Sequence, residues 1–405
     1  MDRSELDALL STPVLRLLEQ LTAEPSTPDT LALVTSLRKK GHPPGVVAAV
    51  VNQLSLRHKA RGKFGDFASR MLFTKNGLEQ ATRLAVSSHH ADRFHRAGLT
   101  FLVDAGCGIG GDALACAGLG LSVRAIESDP VTASLAAYNL APFDGVEVLQ
   151  GLAEEVEWSG ADALWCDPAR RSGSIRLSKP EDWSPRLDWV FDKATTLPTG
   201  IKLAPGMDRG LIPEGMEAQW VSYSGSVAEM VLWSGPLARE NTTRSALVMS
   251  SRGVAELTGA ADSTDADTGE LGDYLIEPDG AVIRARLIGD LARTHGGVML
   301  DQSIAYFSTK SPVHTPLAQC FRIHEVVPYN LTRVKDVVKR AHLGSLEIKK
   351  RGIDVDPGEL RTHLSLTGEG EMTLILTRHR GKRVAILAAR EDLPRENETG
   401  ANQER

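Results

Sequence analysis

Cysteine is scarce. Cys107, Cys116, Cys166 and Cys320 are the only four in 405 residues, and none forms a CxxC pair or joins histidines at zinc-ligand spacing. A disulfide scaffold and a zinc finger are therefore excluded, no metal is expected, and the four read as reduced, buried small residues. Eleven histidines carry no motif, and His89-His90 reads as a helix surface. Long apolar runs are missing too: stretches such as Val46 to Val51 fall far short of the roughly 20 residues that span a bilayer. The start, Met1-Asp2-Arg3-Ser4-Glu5, is too polar for a signal peptide, so the expected location is the cytoplasm, away from membranes. No internal repeat is visible.

What is present is an ordinary globular composition, 42% hydrophobic and 24% charged, in a chain long enough for two or three domains. Charge is unevenly placed. Residues 1 to 100 carry 14 Lys/Arg against 9 Asp/Glu, residues 101 to 309 carry 15 against 30, and residues 310 to 383 carry 14 against 8. An acidic middle between basic ends suits a centre that holds a cation and flanks that hold a polyanion. Solvated faces account for the same counts, and charge alone leaves both open.

The chain is organised around Phe101-Leu102-Val103-Asp104-Ala105-Gly106-Cys107-Gly108-Ile109-Gly110-Gly111-Asp112. A short apolar run ends in an acid and a glycine-dense turn, and Ala113, Ala115 and Ala117 continue as a helix would, which predicts strand, loop, helix. Without a Cβ, Gly106 and Gly108 let the backbone turn sharply and lie directly against a ligand. Gly106, Gly108 and Gly111 also match the dinucleotide fingerprint, with Glu127 about 20 residues on for a ribose. Asp104 separates the two: a carboxylate at this strand end repels a pyrophosphate and attracts the cationic amino group of S-adenosylmethionine. Val123-Arg124-Ala125-Ile126-Glu127-Ser128-Asp129-Pro130 predicts a second strand ending in an acid that can accept both ribose hydroxyls. Asp162-Ala163-Leu164-Trp165-Cys166-Asp167-Pro168 predicts a later strand ending in Asp-Pro.

These three strand ends, in this order, resemble the class I S-adenosylmethionine-dependent methyltransferases over residues 99 to about 250. The resemblance implies an α/β, Rossmann-like sheet with helices on both faces and S-adenosylmethionine as cofactor, held by Asp104, Gly106, Gly108, Gly110, Glu127, Ser128 and Asp167. Gln150-Gly151-Leu152-Ala153 stands where this fold meets the adenine. Leu152 replaces a common acid there, so Leu152 and Ala153 are expected to offer packing and backbone groups. Met71 to Thr82, together with the glycine loop, is similar to the trimethylguanosine synthase branch, which acts on the exocyclic amine of an RNA guanine. In that branch the segment covers the cofactor and frames the substrate pocket.

Residues 1–96 predict a small helical bundle. Leu6, Leu9, Leu10, Val14, Leu17, Leu18 and Leu21 recur at about 3.6 residues, a second helix follows Thr27-Pro28-Asp29, and a third is expected over Val46 to Leu56. The basic cluster Arg57 to Phe64 has two readings, a strip that tracks phosphates and a helix end in solvent. The methyltransferase domain is expected over 97–252, an acidic linker or loop over 253–272, a helix over Ala281 to Ala292, a small α+β domain over 273–390, and a disordered tail over 391–405. Leu346-Glu347-Ile348-Lys349-Lys350-Arg351-Gly352 and the terminal strands Met372 to Arg378 and Arg383 to Ala388 resemble the THUMP-like domain that follows a methyltransferase in a bacterial family. That resemblance implies RNA contacts at Lys349, Lys350 and Arg351.

Methyl transfer is an in-line displacement, so the enzyme mainly holds the nucleophile close and aligned. An exocyclic amine is a poor nucleophile because its lone pair is delocalised into the ring; Asp167 and the Pro168 carbonyl can accept its hydrogens and relieve charge as the bond forms. Amine-methylating families read Asp/Asn-Pro-Pro-aromatic at this place. Here Ala169 replaces the second proline and Arg170-Arg171 the aromatic, and Arg170, Arg171 and Arg176 are candidates for stacking on a base or holding phosphate. The expected function is a cytoplasmic RNA base-amine methyltransferase. The alternatives are a methyltransferase for a small molecule or protein, a binding protein that has lost catalysis, and an NAD-dependent oxidoreductase.

Overall fold

The structure, a computed structural model, describes residues 1, 3–22, 29–157, 159–169, 171–172, 175–176 and 179–391. Two compact units divide the chain. The first comprises Met1–Leu203, Pro213–Met216 and Leu232–Ala238, and the second Ala204–Ile212, Glu217–Val231 and Arg239–Arg405.

The first unit opens with helices α1 (Arg3–Leu9), α2 (Thr12–Thr22), α3 (Thr30–Lys39) and α4 (Pro44–Phe64). Their apolar faces share one core, with Leu9, Leu18, Leu37 and Val50 almost wholly buried, and Leu72 and Leu135 close it. The first expected helix is two, α1 and α2, and the third expected one, α4, runs eight residues beyond Leu56, through the basic cluster, because that cluster is partly structural. Arg57 is buried and donates from Nε to the Met71 carbonyl at 2.9 Å and from Nη1 to Thr22 Oγ1 at 2.9 Å. Lys63 Nζ donates to the carbonyls of Leu78, Glu79 and Ala81 at 2.7–2.8 Å, and Phe64 is fully buried. The phosphate-tracking reading fails for these three side chains; His58, Lys59 and Arg61 remain exposed.

Two short helices, α5 (Lys75–Gln80) and α6 (Leu84–Arg96), lead into an alternation of strands and helices: β1 (Phe101–Ala105), α7 (Gly111–Gly118), β2 (Ser122–Glu127), α8 (Pro130–Leu140), β3 (Val146–Gln150) and β4 (Ala163–Cys166). The two-residue strands β5 (Arg171–Ser172) and β6 (Ile175–Arg176) pair antiparallel, and α9 (Leu187–Ala194) and β7 (Thr199–Leu203) follow. The sheet order β7-β4-β1-β2-β3 is parallel throughout. Chain order reverses between β1 and β4, and the crevice outside the carboxyl ends of such strands is where doubly wound sheets bind ligands. Local chemistry explains the helix starts. Asp129 Oδ1 caps α8 by accepting from the Thr132 N–H at 2.8 Å with Pro130 at the first position, and Gly110, at φ +87°, caps α7 in the left-handed region.

In the second unit β8 (Glu217–Tyr223), β9 (Ser226–Trp233), β10 (Arg244–Ser250) and β11 (Gly253–Gly259) stand in the order β11-β10-β8-β9. The last two residues of β9 belong to the first unit. Then come β12 (Tyr274–Pro278), α10 (Gly280–Arg284), α11 (Ile288–Thr294), β13 (Val298–Asp301), β14 (Ile304–Thr309), β15 (Ala318–Pro328), α12 (Leu331–Arg340), β16 (Leu343–Lys350), α13 (Pro357–Thr362), β17 (Gly370–His379) and β18 (Lys382–Glu391). Seven of these strands form a mixed sheet, β13-β14-β12-β15-β18-β17-β16, in which only β16 and β17 pair in parallel.

Two expectations change here. Residues 253–259, read as the start of a loop, are a strand paired antiparallel with β10, because Val254, Glu256 and Thr258 alternate with Ala255 and Leu257 along an edge. The single helix expected over 281–292 is two, broken at Ala285-Arg286-Leu287 where Arg286 takes φ +60°. The tail beyond Glu391 lies outside the described residues.

Candidate active site

The first unit places the glycine loop, the end of β2, the end of β4 and a lysine of β7 in one neighbourhood. Asp104, one residue before the end of β1, is 1% exposed, and neither carboxylate oxygen meets a hydrogen-bond partner among the described residues. Burial raises its pKa well above the ordinary carboxylate range, and the charges of Asp112, Asp167 and Glu127 add to that while Lys202 opposes it. Gly106, at φ +88°, has room for no side chain: a Cβ would sit 3.1 Å from the Asp167 carbonyl oxygen, so the glycine loop lies directly against the end of β4.

Glu127 ties the two cofactor-side loops together. Its Oε2 accepts from the Gly108 N–H at 3.0 Å, and its Oε1 accepts from the Asp129 N–H at 2.8 Å and from Ser128 Oγ at 3.3 Å. Leu152 is exposed and Ala153 buried in the turn after β3. Cys107 is buried, and burial together with Asp104 and Glu127 pushes its thiol well up, so no reactive thiolate forms in the loop.

Asp167, just past β4, accepts from Lys202 Nζ at 2.6 Å, and the same Nζ reaches Thr82 Oγ1 at 2.9 Å. Thr82 donates to Asp112 Oδ2 at 2.8 Å, and Asp112 Oδ1 lies 3.0 Å from His90 Nδ1. A polar chain therefore runs Asp167, Lys202, Thr82, Asp112, His90. Burial would raise Asp112, but hydrogen bonds from His90 and Thr82 and the charges of His90 and Lys202 hold it below the usual range. His90 is 2% exposed and stacks on Trp165 with ring centroids 4.4 Å apart, so the expected helix-surface histidine is a core one.

The segment before the loop is clamped from both sides. Gln53 exchanges two hydrogen bonds with the Phe73 backbone, Nε2 donating at 2.7 Å and Oε1 accepting at 3.1 Å. Asn139 of α8 accepts from the Leu72 N–H at 2.7 Å and donates to the Leu72 and Ile109 carbonyls at 3.1 and 2.9 Å. One asparagine thus fastens residues 72 and 109, and Gly77 packs so tightly that a Cβ would lie 2.6 Å from Ile109 Cγ2.

Sequence reasoning missed Lys202, Thr82, Asp112 and His90. Lys202 had a signal, a lone charge between the buried Ile201 and Leu203. Arg170 lies outside the described residues, and Arg171 and Arg176 are backbone partners in the β5–β6 pair. Lys349, Lys350 and Arg351 belong to the second unit, where Lys349 Nζ donates to Glu277 Oε2 at 2.6 Å and Lys350 is exposed.

Comparison with known proteins decides the class. Two uncharacterized S-adenosylmethionine-dependent methyltransferases of Mycobacterium tuberculosis, from strains CDC 1551 and H37Rv, are each 33% identical to this chain over 339 residues, covering 81% of it and 92% of their own length. The chain belongs to the S-adenosylmethionine-dependent methyltransferases. A THUMP domain-like family matches residues 318–390 of this methyltransferase, and a domain of unknown function (DUF8688) matches residues 2–60. A crystal structure of a protein assigned as a methyltransferase from Porphyromonas gingivalis W83 superposes with a TM-score of 0.76 at 21% identity, covering 97% of this chain and 100% of that one, which shows the fold.

The methyltransferase therefore has the class I fold with a C-terminal THUMP-like domain and uses S-adenosylmethionine. Its own residues fit that cofactor: the Asp104 carboxylate is buried without a hydrogen-bond partner among the described residues, and at Gly106 and Gly108, both at positive φ, the loop backbone carries no side chain between itself and a ligand. Among the described residues, no group of His, Cys, Asp and Glu could hold a metal ion, and no helix is long and apolar enough to cross a membrane.

Proposed function

We propose that this methyltransferase modifies RNA at an exocyclic base amine, the activity implied by its likeness to the trimethylguanosine synthase branch. The observation that carries the reading is Asp167 at the end of β4, against the glycine loop and fixed by Lys202 at 2.6 Å. The THUMP domain-like match supports RNA as partner.

Asp104 holds the cationic amino group of the cofactor, Glu127 its ribose hydroxyls, and Leu152 and Ala153 pack at the adenine. Gly106, Gly108 and Gly110 keep the loop open, and Ser128 supports Glu127. The cofactor supplies an electrophilic methyl group on a sulfonium. A carboxylate offers about four lone-pair sites, enough for Asp167 to hold Lys202 and meet a substrate hydrogen as well. It accepts one amine hydrogen while the Pro168 carbonyl accepts the other, aligning the nitrogen lone pair and relieving positive charge as the nitrogen is alkylated. Lys202 aims Asp167, and Thr82, held by Asp112, positions Lys202 in turn. Arg170, Arg171 and Arg176, which follow Asp167 in the chain, contact RNA phosphate or stack on the base.

The test is mass spectrometry of nucleosides from total RNA of cells with and without the gene. A methylated base amine that disappears with the gene, and returns with the wild-type chain but not with Asp167→Ala, is expected. Unchanged nucleosides would overturn the reading and direct attention to small-molecule or protein substrates.

A further inference from the structure

The second unit contains a cavity of about 490 Å³ lined by Arg209, Arg284, Arg286 and Arg351, with Trp220 in its wall. Four arginines line one concavity. Mutual repulsion makes such a gathering unfavourable unless carboxylates or an anionic ligand neutralise it.

The carboxylates nearby are already shared. Asp262 pairs with Arg209 and also accepts from Arg244 Nε at 3.0 Å. Glu277 lies 4.0 Å from Arg351 Nη2 but takes Lys349 at 2.6 Å and the Tyr306 hydroxyl at 3.2 Å. Asp279, beside the cavity, accepts from the Ala281 N–H at 2.8 Å and from Ser222 Oγ at 3.1 Å. Arg284 and Arg286 make no ion pair among the described residues. Arg284 is fixed all the same, donating from Nη1 to the Pro205 carbonyl, which also accepts from Trp220 Nε1, both at 3.1 Å. Arg209 Nε is buried without a hydrogen-bond partner among the described residues. Arg286 holds φ +60°, a conformation uncommon for a residue with a side chain.

We propose that this cavity binds an RNA strand by its backbone phosphate, one nucleotide occupying the concavity. Guanidinium forks match phosphate oxygens in pairs, and the volume suits a nucleotide better than a lone ion. Arg351 alone among these side chains was expected to meet RNA, and its partners come from the loop after β7 and from the α10–α11 break, outside the THUMP domain-like match. The inference rests on RNA being the substrate.

The experiment uses the full chain and a fluorescein-labelled, mixed-sequence 20-nucleotide RNA, comparing wild type, Arg284→Ala/Arg286→Ala, and Lys39→Ala/Lys40→Ala as a control with the same loss of charge. The cavity variant is expected to bind about tenfold more weakly, with a salt dependence shallower by roughly 1.4 logarithmic units per decade, as for two lost phosphate contacts on a single strand. The control is expected to bind like wild type, and all three to bind S-adenosylhomocysteine equally, which verifies folding. Should the cavity variant misfold, Arg284→Lys/Arg286→Lys keeps the charge and loses the forks, and weaker RNA binding is again expected. Equal RNA affinity and salt slope in wild type and cavity variant would overturn the cavity assignment alone. An equal loss in the control would do the same, and displacement of RNA by micromolar adenosine monophosphate would assign the cavity to free nucleotide instead. No RNA binding by the wild type would remove the RNA reading itself.

Discussion

The glycine-loop pocket of the first unit and the arginine cavity of the second concentrate charge of opposite sign by different means. In the pocket, Asp104 and Asp112 are both buried: Asp104 has no hydrogen-bond partner among the described residues, and Asp112 is tied to His90 and Thr82 and, through Thr82, to Lys202. In the cavity, Arg284 is an exposed side chain at the end of α10, tied to the Pro205 carbonyl, and Arg286 an exposed one in the break that follows. Burial makes charge expensive, so the pocket couples ligand binding to folding and to protonation, whereas exposed cations cost the fold little and act mainly on a charged partner. Changes in the pocket should therefore disturb stability, pH response and turnover together. Changes in the cavity should alter binding alone.

The sharpest way to break that contrast is at its catalytic edge. Asp167→Ala is expected to lower methyl transfer to RNA from labelled S-adenosylmethionine by about 10²–10⁴-fold, the usual range for a positioned acceptor or acid–base group. Calorimetry should find S-adenosylhomocysteine affinity within about twofold of wild type, since a shift of that size is below ~0.5 kcal/mol. Equal loss of both would make Asp167 a cofactor or folding residue.

Next in size is the interior of the polar chain. His90→Ala removes a buried hydrogen-bond partner of Asp112 together with the stack on Trp165, and is expected to cost about 3 kcal/mol in denaturant unfolding, as for a broken buried pair. A loss within the ordinary surface range would mean that water replaces the imidazole. Gly106→Ala combines a left-handed backbone with a Cβ 3.1 Å from the Asp167 carbonyl, and about 1–3 kcal/mol of destabilisation is expected along with weaker cofactor binding.

Asp104 sharpens the comparison through pH. Its folded pKa is raised, so between the unfolded and folded values the native state holds a proton that the unfolded chain releases. Cofactor-free stability contributed by this group must then fall as pH rises through the folded pKa, and Asp104→Asn should remove that fall in a series of thermal melts. A cationic ligand favours the ionised form, so S-adenosylhomocysteine should bind more tightly as pH rises and release a proton, visible as a calorimetric heat that depends on buffer ionisation. The asparagine variant should lose about ten- to a hundredfold in affinity, from ~1.5–3 kcal/mol for a charge-assisted hydrogen bond. A flat pH response would show that Asp104 remains ionised without the cofactor. Smallest of all, Arg284→Ala should change unfolding free energy by less than about 0.5 kcal/mol, the range for an exposed substitution; a larger loss would give the arginine a structural role and erase the contrast.

The sequence by itself determined what is local. Alternation of apolar strands with helices, the acid and glycines of residues 104–111, and the two later strand-end acids specify a doubly wound sheet and a cationic cofactor, because strand termini, tight turns and the sign of a charge are properties of neighbouring residues. The doubled helix at 280–294 and the strand at 253–259 were hidden, since the first depends on a left-handed Arg286 and the second on an edge partner distant in sequence. Only tertiary structure decided which charged side chains turn inward. Arg57 and Lys63 look like surface cations until the carbonyls of residues 71 and 78–81 fold against them, and His90 looks like a helix face until Asp112 and Trp165 close over it. Lys202 finds Asp167 and Thr82 from 35 and 120 residues away, and the four arginines come together from positions 209 to 351. Side-chain pairing of this kind is settled by folding because the free energy of a charge is set by the dielectric and partners around it, and neither exists until the chain has closed.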